Sequence, residues 1–241
     1  MARGTPDGAA SADAVADART ALLLLADGRF PAGGHAHSGG AEAAVVDGRI
    51  RDAATLADFC RGRLHTQGLV AAALAAAATA GGDLLALDEA CDARTPSAAL
   101  REVSRRLGRQ LMRAARTAWP DPALDRLAAA RPRGAHQPVV LGATARAAGL
   151  GPADAAHAAA YDSAGSPATA VVRLLGLDPF DAAAVLARLA PEIDQVAREA
   201  ARHAVRAVAE GETALLPAAS APILDIAAQA HAARPVRLFA S

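Results

Sequence analysis

The densest run of residues able to do chemistry is a glycine-rich stretch, Gly28-Arg29-Phe30-Pro31-Ala32-Gly33-Gly34-His35-Ala36-His37-Ser38-Gly39-Gly40. Glycines leading into a helix can cradle phosphate, but that use needs a strand before them and a lysine followed by serine or threonine. Here a helical pattern precedes the run, and lysine is absent from the whole chain. That excludes a nucleotide loop of the lysine type, a Schiff base and a lysine general base. His35 and His37 bracket Ala36, and neutral imidazole suits Ni²⁺ or Zn²⁺. No Cys/His cluster stands nearby to complete a shell, so the pair is a candidate for a transient metal contact, and no tightly bound cofactor is expected. Ser38 beside His37 sets a hydroxyl next to a base, yet sequence neighbours rarely reach dyad geometry, and no strand–turn–helix elbow surrounds them. No catalytic residue is assigned. What these glycines do supply is positive φ and close backbone approach, as a tight connection between helices requires.

The second signal is a segment from Ser97 to Ala118 carrying Arg101, Arg105, Arg106, Arg109, Arg113 and Arg116 against the single acid Glu102. Phosphate binding is one use of such a face, and an all-helical regulator or nucleic-acid binder is the alternative reading. No aromatics interleave for base stacking, so a solvated face or docking to an acidic partner fits better. Over the whole chain 25 acidic and 25 basic residues cancel, which argues against a duplex-binding protein. Cys60 and Cys91 lie in helical patterns far from any CxxC spacing, which fits a reducing, cytoplasmic setting. No apolar core follows the first charged residues as a signal peptide would need, and the longest uncharged apolar stretch, Gly68 to Gly82, is short for a membrane span.

The elements that must position these residues are helices. The chain is 53% hydrophobic, mostly alanine and leucine, with only 2% aromatics. Alanine loses no side-chain entropy in a helix and lets helices approach closely, so many slender, tightly packed helices are expected. A helix over roughly 14–26 runs into the glycine-rich turn; Ser38 can cap a short helix through Val46, with Glu42 near the capping-box position. Asp52 caps the next, Gly68 breaks it before the alanine-rich helix, and Asp83 opens another ending near Ala93. Thr95-Pro96 supplies a cap and a first-turn proline for the arginine-rich helix, whose Leu100, Val103, Leu107 and Leu111 form one stripe. Arg131-Pro132-Arg133-Gly134 is a loop, followed by a helix from about Gln137 to Ala148. Gly151-Pro152 starts a helix through Tyr161, Asp178-Pro179 starts another, Pro191 opens a long one, and a short helix carries Ile223, Leu224 and Ile226. No stretch alternates with period two for long enough to require a sheet. The sequence therefore predicts a single all-α bundle of about ten helices.

This organisation resembles the UreF family of urease accessory proteins. Pro31-Ala32-Gly33-Gly34-His35-Ala36-His37-Ser38-Gly39-Gly40-Ala41-Glu42 is similar to its Pro-x-Gly-(Gly/Ala)-aromatic-(Ser/Ala)-x-Ser-x-Gly-Leu-Glu signature, with His35 in place of the aromatic and Ala41 in place of leucine. Ser104-Arg105-Arg106-Leu107-Gly108-Arg109 resembles the family's arginine segment, and His136-Gln137-Pro138-Val139-Val140-Leu141-Gly142 its His-x-Pro-Val-x-x-Gly helix start. Thr169-Ala170-Val171-Val172-Arg173-Leu174 resembles a Ser-Ala-x-x-Arg-Leu stretch, and Arg237-Leu238-Phe239-Ala240-Ser241 an Arg-Leu-Phe-x-Ser ending, with Pro222 and His231 upstream. Leu177-Asp178-Pro179-Phe180-Asp181 departs from the Gln-Thr-x-Gly-Gln-like segment usual there.

The resemblance implies an all-helical accessory protein, not an enzyme, that binds UreD (also called UreH) and the GTPase UreG. With them it would serve GTP-dependent loading of Ni²⁺ into apo-urease. A homodimer is expected, and neither nucleic acid nor membrane is a partner. Signature residues carried over as interaction positions are Pro31, Gly33, Gly34, Ser38, Gly39, Glu42, Arg105, Arg109, His136, Pro138, Arg173, His231, Arg237, Leu238 and Phe239. The expected organisation is a disordered tail over 1–12, a helical domain over 13–233 and an interaction tail over 234–241. In that tail Leu238 and Phe239 are expected to seek burial in a partner.

Overall fold

The computed structural model describes residues 19–235 together with 238 and 239; the tail expected over 1–12, and Arg237, lie outside them. Helix follows helix: α1 (19–26), α2 (Ala41–Val46), α3 (Ala53–Arg63), α4 (Leu69–Thr79), α5 (Leu84–Ala93), α6 (Ala98–Ala118), α7 (Pro122–Ala130), α8 (Gln137–Ala147), α9 (Pro152–Leu175), α10 (Pro179–Glu210) and α11 (Pro222–Ala232). There is no β-strand among the described residues, and the fold is the expected all-α bundle.

The axis is α4. Every residue from Ala72 to Thr79 is buried, and α8, α9 and α10 pack around it. Alanine makes this possible by letting the neighbours come close. At Gly142 of α8 even a Cβ would lie 2.1 Å from the Ala75 carbonyl oxygen of α4. The Thr79 hydroxyl, buried at the same contact, donates to the carbonyls of Ala75 and Gly142, both at 2.9 Å.

Helix starts follow side-chain capping. Asp52 accepts from the Thr55 N–H at 2.8 Å while the Thr55 hydroxyl accepts from the Asp52 N–H, a closed capping box. Asp83 accepts from Leu85 and Ala86. For α6 the cap is Ser97, not Thr95: the Thr95 hydroxyl turns back to the Cys91 carbonyl, and Ser97 accepts from the Leu100 N–H.

Three expected boundaries are absent, each for a packing reason. Gly68 does not break the chain. Residues Leu64–Gly68 form a π-helical turn that joins α3 to α4, and Gly68 lets it press on α9, where a Cβ would sit 2.6 Å from the Ser163 hydroxyl. The helix from Pro152 does not stop at Tyr161 but runs to Leu175 with Pro167 inside it. Proline 167 has no N–H for the carbonyl four residues back, and that carbonyl, on Ser163, instead accepts the Arg63 Nε–H at 3.0 Å. Pro191 likewise lies inside α10 rather than opening a helix. The carbonyl it leaves without a partner belongs to Ala187, an exposed position where water can serve.

No helix among the described residues is long and apolar enough to cross a membrane.

Candidate functional site

The signature residues gather at two places. The first is where the glycine-rich turn, α11 and the C-terminal residues meet. Gly33, Gly39 and Gly40 all have positive φ, so the turn needs glycine at these points. Ser38 is fully buried and its hydroxyl accepts from the Glu42 N–H at 3.3 Å, although Gly40 occupies the cap position itself. Glu42 does not reach back to close a capping box. Its carboxylate, buried in α2, accepts from the Leu238 N–H at 2.8 Å and the Phe239 N–H at 3.0 Å, and bonds the His231 Nε2 at 3.0 Å. One carboxylate thus ties the signature turn to α11 and the tail, almost 200 residues further on, and bonds of this kind to a carboxylate are the strong ones.

The tail is therefore seated on its own domain. Phe239 is only 5% exposed and packs in the hydrophobic core, where the Arg173 guanidinium lies 4.6 Å from its ring centroid. This corrects the expectation that Phe239 waits for a partner. Leu238 does stand out, 71% exposed. Arg234 pairs with Asp47 at 3.1 Å and Arg49 pairs with the same acid, so the start of the tail is fastened to the end of α2 as well. Arg49 and then Arg234, outweighing burial, hold the Asp47 carboxyl below its usual range. Pro31 is exposed. His35 and His37 lie in and just after a short 3₁₀ turn, Gly34–Ala36, and the His37 Nδ1 accepts from the Gly39 N–H at 2.9 Å. No group of three or more metal-ligating side chains comes together among the described residues.

Gly33 and Gly34, adjacent in the signature, carry different loads. A Cβ on Gly33 would lie 1.6 Å from the Gln110 Oε1 and would have to adopt φ +82°, whereas a Cβ on Gly34 meets nothing within 4 Å. Gly33→Ala is expected to lower stability by about 1–3 kcal/mol through strain and a shifted Gln110. Gly34→Ala should change it by less than about 0.5 kcal/mol. Chemical denaturation of the two variants checks the contrast, and equal effects would show that the turn does not depend on the close approach at Gly33.

The second cluster centres on Asp88 of α5, whose carboxylate has no exposure. It accepts from Arg105 at 3.1 Å, from Arg131 at 2.8 Å and from the His136 N–H at 2.7 Å. One helical turn on, Asp92 accepts from Arg105 at 2.5 Å and pairs with the His136 Nε2 at 2.9 Å. Arg105 also donates to the Gly134 carbonyl, and Arg109 donates to that of Arg133. These contacts fasten the 131–136 loop and the start of α8, with Pro138 buried in its first turn, onto α5 and α6. Signature residues Arg105, Arg109 and His136 are thus joined by Asp88, Asp92 and Arg131, which sequence reasoning missed. A signal was present: Leu84, Leu87, Asp88 and Cys91 share one helical stripe, and a carboxylate within it must be paired.

Arg101 donates to the Thr95 and Pro96 carbonyls and Arg116 pairs with Asp125. With Arg105 and Arg109 engaged as well, Arg106 and Arg113 are the α6 arginines that remain exposed without an ion pair among the described residues.

Burial holds the His136 ring below its ordinary 6.5, against the opposing pull of Asp92. Its Nδ1 is buried without a partner among the described residues, so protonation would add a charge and an unsatisfied donor together. The unfolded chain therefore takes up this proton first, and stability falls as pH drops below 6.5. Asp92 adds the same sign lower down: burial raises its carboxyl, but His136 and Arg105 outweigh it and hold it below 3.8. One histidine can contribute a slope of at most about 1.4 kcal/mol per pH unit just below 6.5. Melting curves from about pH 7 to about pH 5 should show it, flattened in His136→Gln; an unchanged slope in that variant would assign it elsewhere.

The UreF family model matches residues 50–190. The urease accessory protein UreF of Mycobacterium sp. (strain JLS) is 45% identical over 223 residues, covering 92% of this chain and 98% of the relative. That of Mycolicibacterium vanbaalenii is 44% identical over 224 residues, covering 91% and 97%. That of Mycobacterium tuberculosis (strain H37Rv) is 41% identical over 223 residues, again covering 91% and 97%.

Proposed function

Because the chain belongs to the UreF family of urease accessory proteins, we propose that it serves urease maturation as a scaffold that recruits and regulates the GTPase UreG, alongside UreD/UreH, while Ni²⁺ is loaded into apo-urease. The family is one of accessory proteins, not of catalysts. Nickel is cargo in this reading, passing in transit and not held by the chain as a resident cofactor. The assembly is cytoplasmic, and the chain enters it as a homodimer.

The observation that carries the reading is the seat of the tail. Glu42 of the signature turn fixes the backbone of residues 238 and 239, so that Phe239 faces inward and Leu238 outward. A single exposed leucine on a rigidly held backbone is an anchor whose ordering cost is already met before a partner arrives.

The test is urease activity and urease-bound nickel in cells carrying the urease subunits and the other accessory proteins, with and without this chain. Both should depend on it. Full activity and nickel in its verified absence would overturn the proposal and turn attention to salt-dependent nucleic-acid binding through Arg106 and Arg113. Within the maturation assay, truncation after Ala233 should abolish assembly with the partners while the helical content of the domain persists. Normal assembly of the truncated chain would remove the tail from the interaction surface.

A further inference from the structure

Between the π-helical turn, α4, α6 and α9 lies a cavity of ≈150 Å³ that shares only His37 and Pro138 with the two clusters above. One wall is apolar, made of Val70, Leu74, Val103 and Leu107. The other carries Arg63, Gln67, His37 and Asp162. The chain reaches this arrangement through two irregularities. Proline 167 frees the Ser163 carbonyl that orients the Arg63 Nε–H, and the π turn over Leu64–Gly68 brings the Gln67 Oε1 to 2.6 Å from the Arg63 Nη1. π turns inside helices are costly and concentrate at functional sites.

Both of those partners of Arg63 are neutral oxygens, and no carboxylate among the described residues forms an ion pair with it. Arg94, at the far end of the same cavity, is also hydrogen-bonded only to carbonyls, those of Ala90, Thr213, Leu216 and Pro217. Two part-buried guanidinium groups thus face one space with only neutral oxygens as hydrogen-bond partners, and a bound anion would add a charge-assisted one. Two acids also line the space. Asp225 is occupied by the Ser97 N–H. Asp162 accepts from the Ser166 hydroxyl at 2.7 Å; burial pushes its carboxyl up, opposed by that bond and by the charge of Arg63. Beside them, burial and then the charges of Arg63 and Arg106 keep the His37 ring neutral. Since its Nδ1 accepts from Gly39, the ring proton lies on Nε2, where it is a donor.

We propose that this cavity is a binding site for a small organic carboxylate, its charged end on Arg63 and its short apolar body against Val70, Leu74, Val103 and Leu107. A bare inorganic oxyanion would leave that wall unused, and an uncharged apolar ligand would leave the Arg63 guanidinium with neutral hydrogen-bond acceptors alone.

Isothermal calorimetry of the full chain with butyrate tests the site. No urease component is present, so failure here is separate from failure of the maturation reading. Butyrate is expected to bind, and equimolar inorganic phosphate is expected not to displace it. Arg63→Gln should abolish binding. That variant also removes the partner of the Ser163 carbonyl, so Gln67→Glu is the sharper probe: Arg63 stays in place but gains an internal carboxylate, and butyrate affinity should fall about tenfold or more. Absence of butyrate binding to the unaltered chain, unchanged affinity in a folded Gln67→Glu protein, or displacement by phosphate would each overturn the proposal.

Discussion

Glu42→Ala is expected to detach the C-terminal residues from the domain and to abolish urease activation in the maturation assay. The substitution takes the acceptor from the N–H groups of Leu238 and Phe239 and from the ring of His231, all at 2.8–3.0 Å. Left in place, each buried donor would cost about 1–3 kcal/mol. The tail has a cheaper course, since it can lift off and give its N–H groups to water. What is then lost is mainly the burial of the Phe239 ring, about 1.5–3 kcal/mol, together with its contact with Arg173. Global stability should therefore fall modestly while the position of the tail changes completely. Amide hydrogen exchange at residues 238 and 239 reads this directly: protection should collapse in Glu42→Ala and be partly kept in Glu42→Gln, which retains a neutral acceptor. Unchanged protection in the alanine variant would mean that the carboxylate is not what holds the tail.

Asp88→Ala should give the larger loss of fold stability, about 2–4 kcal/mol, because the buried His136 N–H is left without an acceptor while Arg105 falls back on Asp92 and Arg131 on Glu89. Arg105, Arg131 and the His136 N–H all lose an acceptor, at a position with no exposure through which water could replace it. In a domain of this size the melting temperature should drop by about 10 °C. Asp58→Ala is the control. Asp58 pairs with Arg61 on the surface, where such a bridge contributes about 0–1 kcal/mol. Similar melting temperatures for the two variants would show that the Asp88 cluster contributes no more than a surface pair.

The sequence is legible where an interaction is local and stops being legible where it is distant. Asp52 and Asp83 were readable as caps because their partners lie within three residues. The glycine-rich turn was readable because positive φ is a property of the glycine itself. Pro191 misled because the carbonyl it leaves unbonded, on exposed Ala187, is open to water. At Pro167 the carbonyl left unbonded is taken by Arg63, over 100 residues earlier, a partner that no local pattern announces. Glu42 sat at the capping-box position, and nothing within its own helix indicated that it would serve residues 238 and 239 instead. The arginine-rich helix shows the same limit. Six arginines read as a charged face, yet Arg105 turns out to be spent on Asp88 and Asp92, whose place in the stripe of α5 was the overlooked clue.

The alanine axis bears on how the protein meets changes of temperature. The heat capacity of unfolding grows with the apolar surface exposed and shrinks with the polar surface exposed. A buried run such as Ala72–Ala78, interrupted by the single Leu74, brings little side-chain area for each peptide group it carries out of water. Unfolding this core therefore exposes an unusually backbone-rich surface, and the heat capacity per residue should be smaller than in a leucine- and aromatic-filled bundle. The curve of free energy against temperature becomes correspondingly flat, so the slender helices that allow close packing also spread what stability the fold has over a wider range of heat and cold.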